Sequence, residues 1–237
     1  MSGYLAFRDD DSVSIFTDTA GFAPRDMTIA EFSPKFARIE GHDAVIVFRG
    51  STFITNRVEA EILKLFSGFK SFDRAVDALI DVVKTVIRDG FMSLPDGIQR
   101  TLDFDCLIGG LRDDGTGGLY HFGSFDRASG RAFEMTEPVF ILNGTVPEDG
   151  VPSAVTDTQA IAAMDAMRGI HHALGGGIGG ALHRTDISAS GVSTKCIHEW
   201  PDRIGERIQH HNVTLLNADI AARVKAIQAA NSNARCA

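Results

Sequence analysis

Cysteine is scarce in this sequence. Cys106, Cys196 and Cys236 are spaced in no pattern that fits a disulfide framework or a metal motif. An odd number of thiols reads as a reduced, cytoplasmic protein, with Cys106 and Cys196 packing in strands as small hydrophobes. A chain of 237 residues needs no covalent staple, because at this size roughly 70% of the unfolded surface can be buried. Long hydrophobic runs are also missing. No uncharged apolar stretch approaches the roughly 20 residues of a membrane span. The first twenty residues carry Asp9, Asp10 and Asp11 where a secretion signal would need a basic start and an apolar run. The expected location is therefore the cytoplasm. Basic residues are in deficit: 23 Lys and Arg face 31 Asp and Glu, for a net charge of −8. That balance excludes a broad nucleic-acid surface.

Metal and phosphate motifs are missing too. The pairs His171–His172 and His210–His211 are adjacent in the chain, and neighbours on a helix point apart by about 100°. "GGGIGG" at 175–180 lacks the Lys-Ser/Thr ending of a phosphate loop and reads as a helix end or a bend. No cofactor and no metal are expected.

What is present is a clear pattern of elements. "YLAFR" (4–8) and "SVSIFT" (12–17) flank the acidic turn and read as a β-hairpin. "FARIE" (36–40) and "AVIVFR" (44–49) flank "GHD" as a second hairpin, its last strand apolar enough to be buried on both faces. Residues 52–67 change period: Ile54, Val58, Ile62, Leu63 and Phe66 recur at helical spacing. Residues 71–89 repeat that pattern, with Ser71 at a capped start and "DG" at the stop. Strands return at 103–110, 118–123 and 131–142, the last divided by Pro138. A helix follows over 157–174, a strand over 191–199 and a terminal helix over 216–230. Trp200 and the phenylalanines read as core.

Strands come in blocks and helices in blocks, so the chain is α+β rather than alternating α/β. Two helices between two blocks of strands predict two antiparallel sheets packed face to face, with helices on both outer faces. No linker divides the chain, so residues 1–237 form one domain.

That order resembles the four-layer αββα sandwich of the N-terminal nucleophile hydrolases, and within them the proteasome β-type branch with its bacterial ring peptidases. Local phrases carry the resemblance. Ser2 follows Met1, and Asp18 lies sixteen residues later at the end of a strand. "SPKFARIEGHDAVIVFRGS" offers Lys35 opening the next hairpin and Gly50 closing it before the first long helix. "HRTDISASG" offers Asp186 and Ser190 for the family's Asp-x-x-Ser-Gly phrase, four residues apart rather than three.

The resemblance implies an amide-bond hydrolase. Ser2, freed of Met1, would be the nucleophile, and its own α-amine the base. A serine hydroxyl needs such a base, and an α-amine has a reference pKa of about 7.7–8.0. Lys35 and Asp18 would supply electrostatic support, backbone N–H groups near Gly50 an oxyanion site, and Asp186 and Ser190 an outer layer. The implied substrate is a peptide or a small amide, the implied state a homo-oligomer, ring-like by analogy, with an ATP-driven unfoldase partner unspecified. The same residues also have plain readings. Ser2 is the second residue of any chain, Asp18 can cap a loop, Lys35 can guard a strand edge, and Asp186 and Ser190 can be turn residues. A silent subunit of the same fold is the alternative function.

Overall fold

The computed structural model describes residues 3–23, 26, 28–50, 52–79, 82, 104–123, 133–134, 139–141, 156–173 and 177–208. The first hairpin forms as its sequence dictates. β1 (Tyr4–Arg8) pairs antiparallel with β2 (Ser12–Asp18) around the acidic turn. Two short strands follow, β3 (Ala20–Phe22) and β4 (Ile29–Phe32), paired with each other. β5 (Phe36–Arg38) and β6 (Ala44–Gly50) make the second hairpin.

The helix α1 (Thr52–Ser67) turns Thr55, Val58, Ile62 and Phe66 inward and leaves Asn56, Arg57 and Lys64 in water. The ring nitrogen Nε2 of His42 meets one carbonyl near its end and one just beyond it, 3.3 Å from Phe66 O and 3.1 Å from Phe69 O. A second helix, α2, covers residues 72–79. Ser71 Oγ caps it by accepting the Arg74 N–H at 3.1 Å.

β7 (Phe104–Leu111) and β8 (Gly117–Gly123) come next, then the short β9 (Phe133–Glu134) and β10 (Val139–Ile141). The chain from 131 to 142 does divide, and its halves join different sheets: β9 pairs with β8, and β10 with β1. Helix α3 (Asp157–Ala173) opens on a reciprocal cap. Thr156 Oγ1 accepts the Gln159 N–H at 3.3 Å while Gln159 Oε1 accepts the Thr156 N–H at 2.9 Å. β11 (Ala181–Ser188) and β12 (Gly191–Glu199) complete the described elements. The expected terminal helix at 216–230 and the end of the 71–89 helix lie outside the described residues.

The described strands form two five-stranded sheets, ordered β10-β1-β2-β11-β12 and β5-β6-β7-β8-β9, plus the β3–β4 ribbon. The alternation of side chains along each strand sorts the core into layers. Tyr4, Ala6, Val13, Ile15, Val45, Val47, Leu107 and Leu119 pack between the sheets. Their neighbours Ala44, Ile46, Cys106 and Ile108 face α1 and α2. Leu5, Phe7, Phe16 and Leu182 face Ala160 and Met164 of α3. The architecture is a four-layer αββα sandwich.

Two expectations need correction. Residues 181–188 are a full strand at the heart of the first sheet, between β2 and β12. Cys106 is buried but Cys196 is exposed, because β12 is an edge strand whose residues 193–196 face water.

Candidate active site

The candidate site grows from the end of β2. Asp18 is its last residue and is completely buried, at 0% exposure. A carboxylate removed from water is costly unless each oxygen finds donors or a counter-charge. Asp18 finds three partners from three distant segments. Lys35 Nζ lies 2.8 Å from Oδ2. The Gly179 N–H donates to Oδ2 at 3.1 Å, and the Gly3 N–H donates to Oδ1 at 3.3 Å.

Lys35 sits just before β5, and its ammonium also donates to Ala20 O at 2.5 Å. Burial pulls its pKa below the ordinary lysine value, and Asp18 opposes that fall. The lysine side chain is thus largely withdrawn from water and paired with the buried Asp18 carboxylate. It is not the solvated edge residue of the plain reading.

Ser2 itself lies outside the described residues. Its covalent neighbour Gly3 is described and buried, and is tied through its amide to Asp18. That peptide bond joins Ser2 to the residue held by the Asp18–Lys35 pair.

Gly50 closes β6 two residues before α1, with φ at +132°, a conformation that favours glycine. It lines a cavity of about 770 Å³ together with Lys35, Phe22, Phe48, Glu31 and Glu59. Arg49 turns the other way and is buried, with Nη1 3.2 Å from Asp105 Oδ2. His121 Nε2 lies 3.5 Å from the other oxygen of Asp105. Tyr4 shares this polar interior, and burial followed by the charge of Asp105 raises its pKa well above the ordinary value.

Asp186 and Ser190 are not brought to this end of the sheet. Leu182 is the residue that pairs with Asp18, while Asp186 pairs with Ser14. Four residues of strand separate the two positions by about 13 Å. Asp186 Oδ1 accepts from Ser14 Oγ at 2.6 Å and from Arg184 Nε at 2.7 Å. Ser190 is exposed in the β11–β12 turn, its Oγ 2.8 Å from that of Ser188. The cause of the misplacement is the unread strand β11, which carries both residues away from the site.

The segment that does meet Asp18 is Gly177–Gly180, from the glycine run read as a helix end or bend. Gly179 O accepts the N–H groups of Thr19, at 3.2 Å, and Ala20, at 3.0 Å. A Cβ on Gly179 would come within 2.5 Å of Asp202 Oδ2, and one on Gly180 within 2.4 Å of Thr19 Oγ1. Gly180 also has φ of +77°. Glycine is required there by close approach and by backbone conformation.

The loop is clamped from behind. Buried Arg168 of α3 donates from Nη1 to Ile178 O at 2.7 Å and to Asp202 Oδ2 at 2.7 Å. Its Nη2 meets Asp202 Oδ1 at 2.5 Å. Asp202 in turn accepts the Gly180 N–H at 2.8 Å. The guanidinium lies 5.4 Å from the centre of the Trp200 ring. Arg168 and Asp202 are 34 residues apart, and no local pattern announces them.

Architecture and site can be set beside known structures. The chain aligns with a solved structure of Anbu, the Gly-1 mutant from Hyphomicrobium sp. strain MC1, with a TM-score of 0.59. The alignment covers 98% of this chain and 97% of that one at 18% identity. The chain shares the four-layer αββα fold of that structure. No protein-family model matches the sequence, and no curated protein matches it. At this identity the likeness carries the fold alone. In that fold the buried Asp18–Lys35 pair lies against the start of β1. Among the described residues, no group of three or more His, Cys, Asp or Glu side chains is placed to hold a metal ion.

Proposed function

We propose that the chain is an amide-bond hydrolase of the N-terminal nucleophile type, acting as a proteasome-like peptidase subunit in a homo-oligomer. Ser2 is the nucleophile once the residue before it, Met1 here, has been removed. The observation that carries this reading is the triple contact of Asp18 with Lys35, Gly3 and Gly179. A buried ion pair tied to the amide beside residue 2 is a costly arrangement, and a purely structural core would be served as well by apolar groups.

In the reaction, Ser2 Oγ attacks the substrate carbonyl carbon while the free α-amine takes the hydroxyl proton. The C–O bond forms, the carbonyl becomes an oxyanion, and backbone N–H groups near Gly50 stabilise it. Losing one such donor typically costs about 2.7–4 kcal/mol of barrier. The intermediate then collapses, the C–N bond breaks, and the α-ammonium returns its proton to the departing amine. Water hydrolyses the remaining ester and frees Ser2. The Lys35 ammonium favours the deprotonated hydroxyl, and Asp18 keeps that ammonium charged and in place.

The test is hydrolysis of a set of fluorogenic peptides by purified wild-type protein, Ser2→Ala and Lys35→Met, with intact masses recorded. The reading expects a chain lacking Met1 and turnover that both substitutions abolish. A wild-type chain that retains Met1 and cleaves nothing overturns it in favour of a silent subunit.

A further inference from the structure

The layer between the two sheets changes character along its length. Val13, Ile15, Val45 and Ile187 fill it with apolar groups. At the end next to Gly50 it turns polar. Arg49 follows Val45 and Val47 at every second residue of β6, so its side chain enters the same layer. Asp105 is its direct partner across the β6–β7 ladder. His121 stands opposite Leu107, two residues along β7 on the same face. Asp105 is shared between them: Arg49 Nη1 lies 3.2 Å from Oδ2, and His121 Nε2 lies 3.5 Å from Oδ1. Tyr4, 1% exposed, enters from the other sheet and feels the charges of both Asp105 and Arg49.

We infer that Arg49, held by Asp105, is a positioning residue: an internal anchor that fixes the backbone of Gly50, and with it the oxyanion donors, relative to the strand that begins at the reacting terminus. The inference rests on the reaction proposed above, in which N–H groups near Gly50 meet the oxyanion.

Three observations converge on it. First, the Gly50 N–H belongs to the peptide plane that starts at Arg49. Gly50 has no side chain with which to hold itself, and its φ of +132° is one of many that glycine can adopt. The anchor must come from a neighbour, and holding Arg49 fixes one end of that rigid plane. Second, stability alone does not explain the pair. A third valine at position 49 would continue the pattern of Val45 and Val47 without burying a charge. Apolar replacements of a buried ion pair are often neutral or stabilising. Third, the cluster meets both strands that build the site. Arg49 and Asp105 belong to the second sheet, whereas Tyr4 follows Gly3, whose N–H is held by Asp18 at 3.3 Å.

The experiment separates holding the fold from holding Gly50. The double variant Arg49→Met/Asp105→Leu removes both charges and keeps apolar bulk. Its thermal unfolding should lie within a few degrees of the wild type. Amide hydrogen exchange at Gly50 should nevertheless speed up about tenfold or more. With a fluorogenic peptide, kcat should fall about tenfold or more while KM stays within about threefold, because the donors act on the transition state. Arg49→Lys, which keeps the charge in a different shape, should show the same split to a smaller degree, and it decides the matter if the double variant does not fold. Wild-type exchange at Gly50, an unchanged kcat, or a loss seen only in KM overturns the assignment. Failure of the hydrolase reading is seen separately. A wild-type protein that cleaves nothing removes hydrolysis, and exchange at Gly50 then decides the anchor by itself.

Discussion

Lys35 Nζ lies 2.8 Å from Asp18 Oδ2, and the Asp18 side chain has no exposure to water at all. The pair links the end of β2 to the start of the second hairpin. The same carboxylate reaches Gly3 and Gly179, so one buried charge joins four separate pieces of chain. Removing it leaves a desolvated ammonium and two orphaned amides. Asp18→Ala is predicted to cost about 3–5 kcal/mol of stability, read as a shift in the urea midpoint. A loss below about 1 kcal/mol contradicts this account of the pair.

The clamp behind the glycine loop acts on the site at one remove. Arg168→Lys keeps a positive charge but loses the two-pronged contact with both oxygens of Asp202. The variant should fold, lose stability, and speed amide hydrogen exchange at Gly179 and Gly180. The rate of hydrolysis should fall with it, because Gly179 positions Asp18. Unchanged exchange at those two amides would show that the clamp does not order the loop.

Gly180→Ala tests the loop directly. Its φ of +77° disfavours any side chain, and the added Cβ would strike Thr19 Oγ1. Left-handed strain alone costs roughly 1–2 kcal/mol, and the clash adds to it. Thermal unfolding should show a loss beyond that strain figure. A neutral substitution contradicts the close approach.

Much of the fold was readable because the physics is local. β1, β2 and β6 alternate or run apolar, and α1 repeats at helical spacing, so their bounds fall within a residue or so of the expected ones. β11 escaped because "ALHRTDIS" carries two charged side chains, Arg184 and Asp186, on the face toward α3, and His183 on the other. On the α3 face Arg184 bonds Asp157 and Asp186 and lies over the Phe16 ring. Arg184 and Asp186 answer each other across two residues, but their further partners, Asp157 and Ser14, lie far away in sequence, so the strand looks like a loop. The Asp18–Lys35 pair was reachable only through family resemblance. The glycine run could not be assigned from its letters, because what it needs is the closeness of Thr19, Asp202 and Phe22. The cap on α3 has a local signature that went unread: Thr156 and Gln159 have the spacing of a capping box.

Asp157 opens α3 and binds that same charged face. Lys195 and Arg184 hold its carboxyl below the usual carboxylate range. Its folded pKa lies under the unfolded one, so its contribution is present at neutral pH and is lost as pH falls through the folded value. About a third of the side chain is exposed, so water screens the effect, and we expect about 1 kcal/mol or less at neutral pH. Asp157→Asn should lower stability at pH 7 and flatten the acid limb of the stability curve. An acid limb as steep as that of the wild type contradicts the assignment.

The central claim is that residue 2 becomes a reactive nucleophile beside the buried lysine. The most direct measurement is the intact mass of the protein after exposure to a β-lactone, an electrophile that acylates an activated hydroxyl. The account predicts a chain lacking Met1 that gains a single acyl group, mapped to Ser2, with no such gain in Ser2→Ala or Lys35→Met. A wild-type chain that stays unmodified, or one whose adduct persists in Ser2→Ala, contradicts it.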